Sequence, residues 1–393
     1  MTATPPDLLL PDDVRLLHIG PQKTGSTALQ AAIQEQRAAL REHGVTAVGT
    51  DRPERAALWA ELMHPGSSEA RYRDDFVRWD AMVAEVASAP GRVVISNESI
   101  GKAEVDGAKR MVDTLGGDRL HVLAVARRLD RLLPSQWQQR VKMNATTLSY
   151  EEWLRVVLAD HSDDPAWGNI WVPHDLEQLV ERWTDAAAPD RFTLLVADES
   201  DRMLLSRTVE QLLGLPEGML RPQEAHKDNA SMSYGRLEVA RMLNERLGDV
   251  TIDPALRSRV LRAVKQHEPW PDEARVPELP GWARERVVEL SDARAELVRS
   301  LDVRVLGDPD NLRVPPSGEN VVEDDGPVLV PAALAANAIA VAVEAAVERE
   351  RALRRLRRRV RRSQGSAPGS ADRLSGRELA AELGGRLRRR LPL

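Results

Sequence analysis

Up to residue 197 the chain alternates between short, almost wholly apolar runs and longer segments whose apolar positions recur three or four residues apart. Arg15-Leu-Leu-His-Ile19 opens the series. Arg92-Val-Val-Ile-Ser96, Leu120-His-Val-Leu-Ala-Val-Ala126 and Arg191-Phe-Thr-Leu-Leu-Val-Ala197 continue it. Runs of this kind, aliphatic and without polar alternation, suit strands buried on both faces. Between the first two, Ser26 to Glu42 contains no helix breaker and carries Leu29, Ile33 and Leu40 at near-helical spacing. Gly44 stands where a helix stop is expected. Tyr72 to Ala87 and Pro173 to Ala187 also read as helices. Strands alternating with helices predict an α/β fold with a central, mostly parallel sheet.

Beyond about residue 235 no strand pattern is clear. Tyr234 to Leu247 and Trp282 to Leu301 read as helices, and Asp308 to Val328, with Pro and Gly among acids, reads as a linker. Pro331 to Arg362 reads as one long helix, and Ser363 to Ser370 is of low complexity. The expected organisation is an N-terminal tail (1–13), an α/β domain (14–305, helical from about 235), a linker (306–330), an Ala/Arg-rich helix (331–362) and a flexible basic tail (363–393).

Composition narrows the class. A chain of 393 residues allows one large or two modest domains. Hydrophobic residues at 42% and charged residues at 30% fit a soluble globular protein. A net charge of -6 argues against general nucleic-acid binding. Cysteine is absent, which excludes disulfides and thiolate metal sites and fits a reducing cytoplasm. The N-terminus has no basic segment before its short apolar run, so no secretory signal is expected. The most apolar long stretch, Val328 to Val347, is mostly Ala and contains Glu344, so it is not read as membrane-spanning. The eight His are scattered without metal-ligand spacing, so no metal is expected.

The strongest chemical signal lies between the first strand and the first helix, in Gly20-Pro-Gln-Lys-Thr-Gly-Ser-Thr27. A helix start offers unpaired N–H groups and a positive dipole end. Gly25 allows close backbone approach or a positive φ. Lys23 supplies a point charge on a flexible stem. Ser26 and Thr27 offer hydroxyls and suit a helix cap. The usual nucleoside-triphosphate loop is Gly-x4-Gly-Lys-Ser/Thr, and here Lys23 precedes Gly25 instead of following it.

That order resembles the 5′-phosphosulfate loop of sulfotransferases, which use 3′-phosphoadenosine 5′-phosphosulfate (PAPS). The resemblance implies a P-loop-type three-layer α/β fold. It implies that Lys23 contacts the phosphosulfate, with Thr24, Gly25, Ser26 and Thr27 holding the 5′-phosphate. The family's second element is an Arg at a strand end with a Ser eight positions on, at the start of the next helix. Arg127 and Ser135 match it and would hold the 3′-phosphate, with Arg128 and Arg131 as alternatives to Arg127. Asp175 to Trp183 before the Arg191 strand, and Asn229-Ala-Ser-Met-Ser233 before a helix, also resemble bacterial sulfotransferase-like proteins. Lys227, Asn229 and Ser231 are further polar candidates, in a region that also suits a plain helix cap.

Sulfuryl transfer needs a base for the acceptor and a cation for the leaving phosphate. Lys23 suits the second task. For the base, Glu98 follows a buried strand, where α/β ligands sit, and His64 in the irregular region after the first helix is the second candidate. Glu54 and Glu61 fall in the same interval, and His18 inside the first strand reads as a core residue. The acceptor implied is a hydroxyl or amine of a carbohydrate, glycolipid or small metabolite. Arg351 to Arg362, with eight Arg, reads as a solvated helix or as a contact for an anionic membrane surface or an acidic partner. Two rivals stand beside this reading. One is a P-loop small-molecule kinase, for which Asp198 and Asp201 are the acidic candidates. The other is a non-catalytic binding module of the same fold. Oligomeric state is left open.

Overall fold

The computed structural model describes residues 8–49, 51–221, 232–247, 254–271, 273–316 and 328–363. The expected flexible tail from 364 onward, and Lys227, Asn229 and Ser231, lie outside the described residues. The chain divides into two compact units, Met1–Ser231 with Val276–Gly326, and Met232–Arg275 with Pro327–Leu393.

The first unit begins β1 (Arg15–Gly20), α1 (Ser26–Glu35), α2 (Arg37–Glu42), β2 (Val45–Val48), α3 (Arg52–Met63), α4 (Arg73–Ser88) and β3 (Arg92–Ser96). It continues α5 (Val105–Leu115), β4 (Leu120–Ala126), α6 (Leu129–Lys142), α7 (Tyr150–Val157), α8 (Pro165–His174) and α9 (Leu176–Ala187). β5 (Phe192–Val196) and α10 (Leu204–Leu213) follow. After α11 (Tyr234–Leu247) and α12 (Pro254–Gln266) of the second unit, the chain returns with α13 (Gly281–Ser300) and β6 (Arg304–Leu306). Among the described residues, α14 (Ala332–Ser363) is the last element of the second unit.

The six strands form one sheet in the order β2-β3-β1-β4-β5-β6, with every neighbouring pair parallel. Alternate side chains leave the sheet on opposite faces. Leu17, Ile19, Val93, Ile95, Val122, Leu194 and Val196 join one core, together with residues of α3, α4, α5, α9 and α13. Leu16, Val94, Leu123, Val125 and Leu195 join the other, with α1, α2 and α10. Helices thus cover both faces, and the central strands are buried throughout, as their uninterrupted apolar runs require. The expected three-layer α/β architecture is the one observed.

Three local expectations change. Ser26 to Glu42 is two helices broken at Gln36, and Pro173 to Ala187 is two helices meeting at Asp175. The Asp175 side chain accepts from the Gln178 N–H at 3.1 Å and starts the second of these. The region read as helical after residue 235 contains a strand, β6, which pairs with β5 through Arg304, Val305 and Leu306. With three residues and an exposed Arg304 at the sheet edge, it shows no strand pattern. The stretch read as a linker begins with a 3-10 turn, Pro309–Leu312, capped by Asp308 and anchored by the buried Leu312.

In the second unit, α14 turns Leu334, Ala338 and Ala345 inward and pairs Glu348 with Arg259 of α12 at 2.7 Å. Among the described residues, no helix is long and apolar enough to cross a membrane.

Candidate functional site

The Gly20–Thr27 segment leaves the carboxyl end of β1, the central strand beside the point where strand order reverses. In open α/β sheets this is where ligands sit. The turn is held from inside: Thr24 Oγ1 donates to the Pro21 carbonyl at 2.6 Å. Lys23 adopts a φ of 69°, uncommon for a residue with a side chain. Gly25, at φ 101°, is the residue that caps α1, and no side chain caps the helix. Ser26 and Thr27 are therefore the first helical residues and not the cap that their type suggests. Thr27 is exposed, whereas Ser26 Oγ is buried and has no hydrogen-bond partner among the described residues. An uncapped helix start and an unpaired buried hydroxyl suit an oxyanion.

Lys23 Nζ donates to Gln139 Oε1 of α6 at 3.0 Å. Burial and then the nearby Arg127 lower the Lys23 pKa, while Glu98 opposes the drop. Arg127 stands at the end of β4 as expected, but its guanidinium is already engaged. It donates to both Glu199 oxygens, at 2.6 and 2.9 Å, and to the Lys23 carbonyl at 2.7 Å. Burial pushes the Glu199 carboxyl up, and Arg127 outweighs that, leaving it below its ordinary value. In this structure Arg127 is a strut for the loop. Arg128 bonds Asp130 at 2.7 Å, and Arg131 is exposed.

Ser135 is half-buried in the interior of α6, after Pro134, and not at the helix start. The helix begins at Leu129 because only Arg127 and the extended Arg128 separate it from β4. A Pro is expected in a first turn, yet here it sits inside the helix, where the Asp130 carbonyl loses its N–H donor.

Glu98 lies in the turn after β3 and packs directly on the loop. A Cβ at Gly20 would lie 2.8 Å from Glu98 Cβ. Its carboxylate accepts from Gln30 Nε2 of α1 at 2.5 Å. The fold thus brings Glu98 and Lys23 together at the loop. His64, at the end of α3, stacks on Tyr72 with centroids 4.6 Å apart and meets Trp59 edge-on. Glu54 is held by the Asp51 capping box and by Arg37, at 2.8 Å. Burial raises the Glu61 pKa, against Arg110. His18 is a core residue: its Nδ1 lies 2.8 Å from Ser96 Oγ, and burial lowers its pKa to about 4. Asp198 accepts from Ser200, and Asp201 pairs with Arg207, so both carboxylates serve their own turn.

Sequence reasoning missed the face of α6 that closes the loop. Gln136 Nε2 reaches the Gln22 carbonyl at 3.3 Å and His174 Nε2 at 3.1 Å. Gln136, Gln139 and Arg140 share that face by their three- and four-residue spacing, a signal present in the segment already singled out. Arg294 of α13 was also missed. It is buried, donates to the His174 carbonyl at 2.8 Å and to the Arg127 carbonyl at 3.4 Å, and burial lowers its pKa to about 10.

No family model and no curated protein matches this chain. Among solved structures it is similar to a sulfotransferase from Alicyclobacillus acidocaldarius, at 14% identity and a TM-score of 0.37, over 63% of this chain and 99% of that one.

Proposed function

We propose that the chain is a sulfotransferase that uses PAPS as its sulfuryl donor. The observation that carries the reading is the loop itself. Lys23 is set inside the turn ahead of Gly25, the first helix starts without a side-chain cap, and Ser26 Oγ is buried without a partner. The Gly20–Thr27 amides and the Ser26 and Thr27 hydroxyls would receive the 5′-phosphate. Glu98 would take the proton of an acceptor hydroxyl or amine as its oxygen or nitrogen bonds to sulfur. The bond from sulfur to the bridging oxygen breaks, its electron pair stays on the phosphate, and Lys23 neutralises that charge. Arg127 would position the loop through its carbonyl, alongside any contact it or Ser135 makes with the 3′-phosphate.

The kinase reading needs a carboxylate able to hold Mg2+ at this end of the sheet. Asp201 is paired through both oxygens with Arg207, and Asp198 Oδ1 accepts from Ser200, which weighs against the kinase reading.

Calorimetric titration of the full chain with 3′-phosphoadenosine 5′-phosphate (PAP), against ATP with Mg2+, tests the reading. PAP is expected to bind without Mg2+ and more tightly than ATP. Lys23→Ala is expected to abolish transfer. Preference for ATP with Mg2+ overturns the donor assignment, and binding of neither nucleotide makes the chain a non-catalytic module.

A further inference from the structure

Next to the phosphate loop, on the side away from Arg127, two cations meet without an acid. Lys102 ends the 3-10 turn Ile100–Lys102 that follows Glu98, and Arg140 lies on the loop-facing side of α6. Both reach Asn169 of α8. Lys102 Nζ donates to Asn169 Oδ1 at 3.4 Å, and Arg140 Nη2 to the Asn169 carbonyl at 3.5 Å. Both side chains are half-buried. Neither has an ion-pair partner among the described residues. Of the other polar groups of this corner, Gln136 and His174 face each other, and Arg294 lies behind His174, with the Asp175 carboxylate acting on Arg294.

Burial and then Arg140 lower the Lys102 pKa to about 8, and burial lowers that of Arg140. His174 is pushed well below its ordinary range by burial, then by Arg294, Lys102 and Arg140. Burying like charges together without a counter-charge is unfavourable. Neutral side chains of similar size would fold better here, so the arrangement has the form of an anion site kept ready for a ligand.

The corner adjoins the loop through two short connections. A Cβ at Gly101, the residue before Lys102, would lie 2.9 Å from the Ile19 carbonyl and 3.8 Å from Pro21 Cα. Gln139, the residue before Arg140, holds Lys23. The corner is therefore on the side of the loop where Glu98 lies, whereas Arg127 and Glu199 occupy the β4–β5 side.

We propose that the Lys102–Arg140–Asn169 corner binds an anionic group carried by the acceptor, a carboxylate or a sulfate, while its nucleophile faces Glu98 and Lys23. The Lys and Arg supply two charge-assisted donors to one oxyanion, and Asn169, its Nδ2 donating to the Pro165 carbonyl at 2.8 Å, holds the Lys102 ammonium in place through Oδ1. This rests on the sulfotransferase reading for the word acceptor, but not for the existence of the anion site.

The probe is inorganic sulfate, titrated into the full chain alone and into the chain saturated with PAP. Wild type is expected to bind sulfate in both states, because PAP would fill the loop and the Arg127–Ser135 side and leave this corner open. Lys102→Gln and Arg140→Gln are each expected to weaken sulfate binding to the PAP-loaded chain at least tenfold and to change PAP affinity less than twofold. Each is also expected to raise the thermal midpoint in sulfate-free buffer and to lose the further rise that sulfate gives wild type. Sulfate binding unchanged by either variant overturns the proposal. So does PAP affinity falling in step with sulfate affinity, which assigns the corner to the donor. Loss of sulfate binding in the two variants of a chain that binds no PAP retains the anion site and sinks only the sulfotransferase reading.

Discussion

Gly20→Ala tests whether the loop is rigid because of how it packs on Glu98. Gly20 has a φ of 81°, and an added Cβ would lie 2.8 Å from Glu98 Cβ and 2.9 Å from Glu98 Cα. The second of these is backbone, tied into the sheet through the neighbouring Asn97 N–H, which bonds the His18 carbonyl at 3.0 Å. It cannot swing away as a side-chain tip can. Left-handed backbone in an alanine costs about 1–2 kcal/mol, and forcing a methyl into a packed site adds about 1–3 kcal/mol. The sum is about 2–5 kcal/mol. Gly25→Ala is the matched control in the same loop: its φ is 101°, but the nearest atom is Leu205 Cδ2 at an ordinary 3.6 Å. It should lose only the backbone part, about 1–2 kcal/mol. Urea unfolding followed by tryptophan fluorescence reads the right unit, because eight of the nine Trp lie in the first one. Trp137, Trp153 and Trp183 there are fully buried. The reasoning is refuted if Gly20→Ala is no more destabilising than Gly25→Ala.

Three further outcomes rest on contacts elsewhere in the fold. Arg127→Ala and Glu199→Ala should both weaken PAP binding and cost about 1–3 kcal/mol of stability; tighter PAP binding in Glu199→Ala would show a guanidinium freed for direct phosphate contact, not a strut. Burial lowers the pKa of His18 and of His121 to about 4, below the ordinary 6.5 of an unfolded His. Between those values only the unfolded chain takes the proton, so stability is full above pH 6.5 and should drop by about 2 kcal/mol per His on going to pH 5; urea midpoints that stay level from pH 7 to 5 rule this out. In the second unit, Arg236 stacks 5.1 Å from the Trp270 ring and bonds both Glu273 and the Val264 carbonyl. Arg236→Ala should remove about 3–5 kcal/mol there, seen as faster amide exchange in 232–275 with the sheet unchanged, and equal protection in both proteins counts against it.

The contrast between Lys23 and Arg127 shows what a sequence can and cannot carry about this site. The loop that carries Lys23 was legible because its place is local: a buried strand, a glycine-bearing turn and a helix start set it at the end of β1, although its ammonium is held by Gln139 of α6. The sheet was legible for the same reason, since strands covered on both faces must be apolar at every position. Arg127 was equally visible as a residue, yet its engagement depends on Glu199, which reaches it only because β4 and β5 are neighbours. No period or motif announces that pairing. Lys102 and Arg140 lie further out of reach of pattern, because their likeness consists in a missing partner. A lone Lys after a strand and an Arg near a helix end look solvated in sequence, and only the packing of Asn169 between them shows two charges half-buried together. The reverse error occurred at Ser135, where the Arg-to-Ser spacing of the resemblance implied a helix start that the two-residue link from β4 had already placed at Leu129. The backbone course of the loop follows from local rules, whereas the partners of its side chains depend on which helices fold over it. The strand–turn–helix order of the loop therefore carries over from sequence to structure. The surroundings of Glu98 and of Lys102 depend instead on what α1 and α8 bring to them.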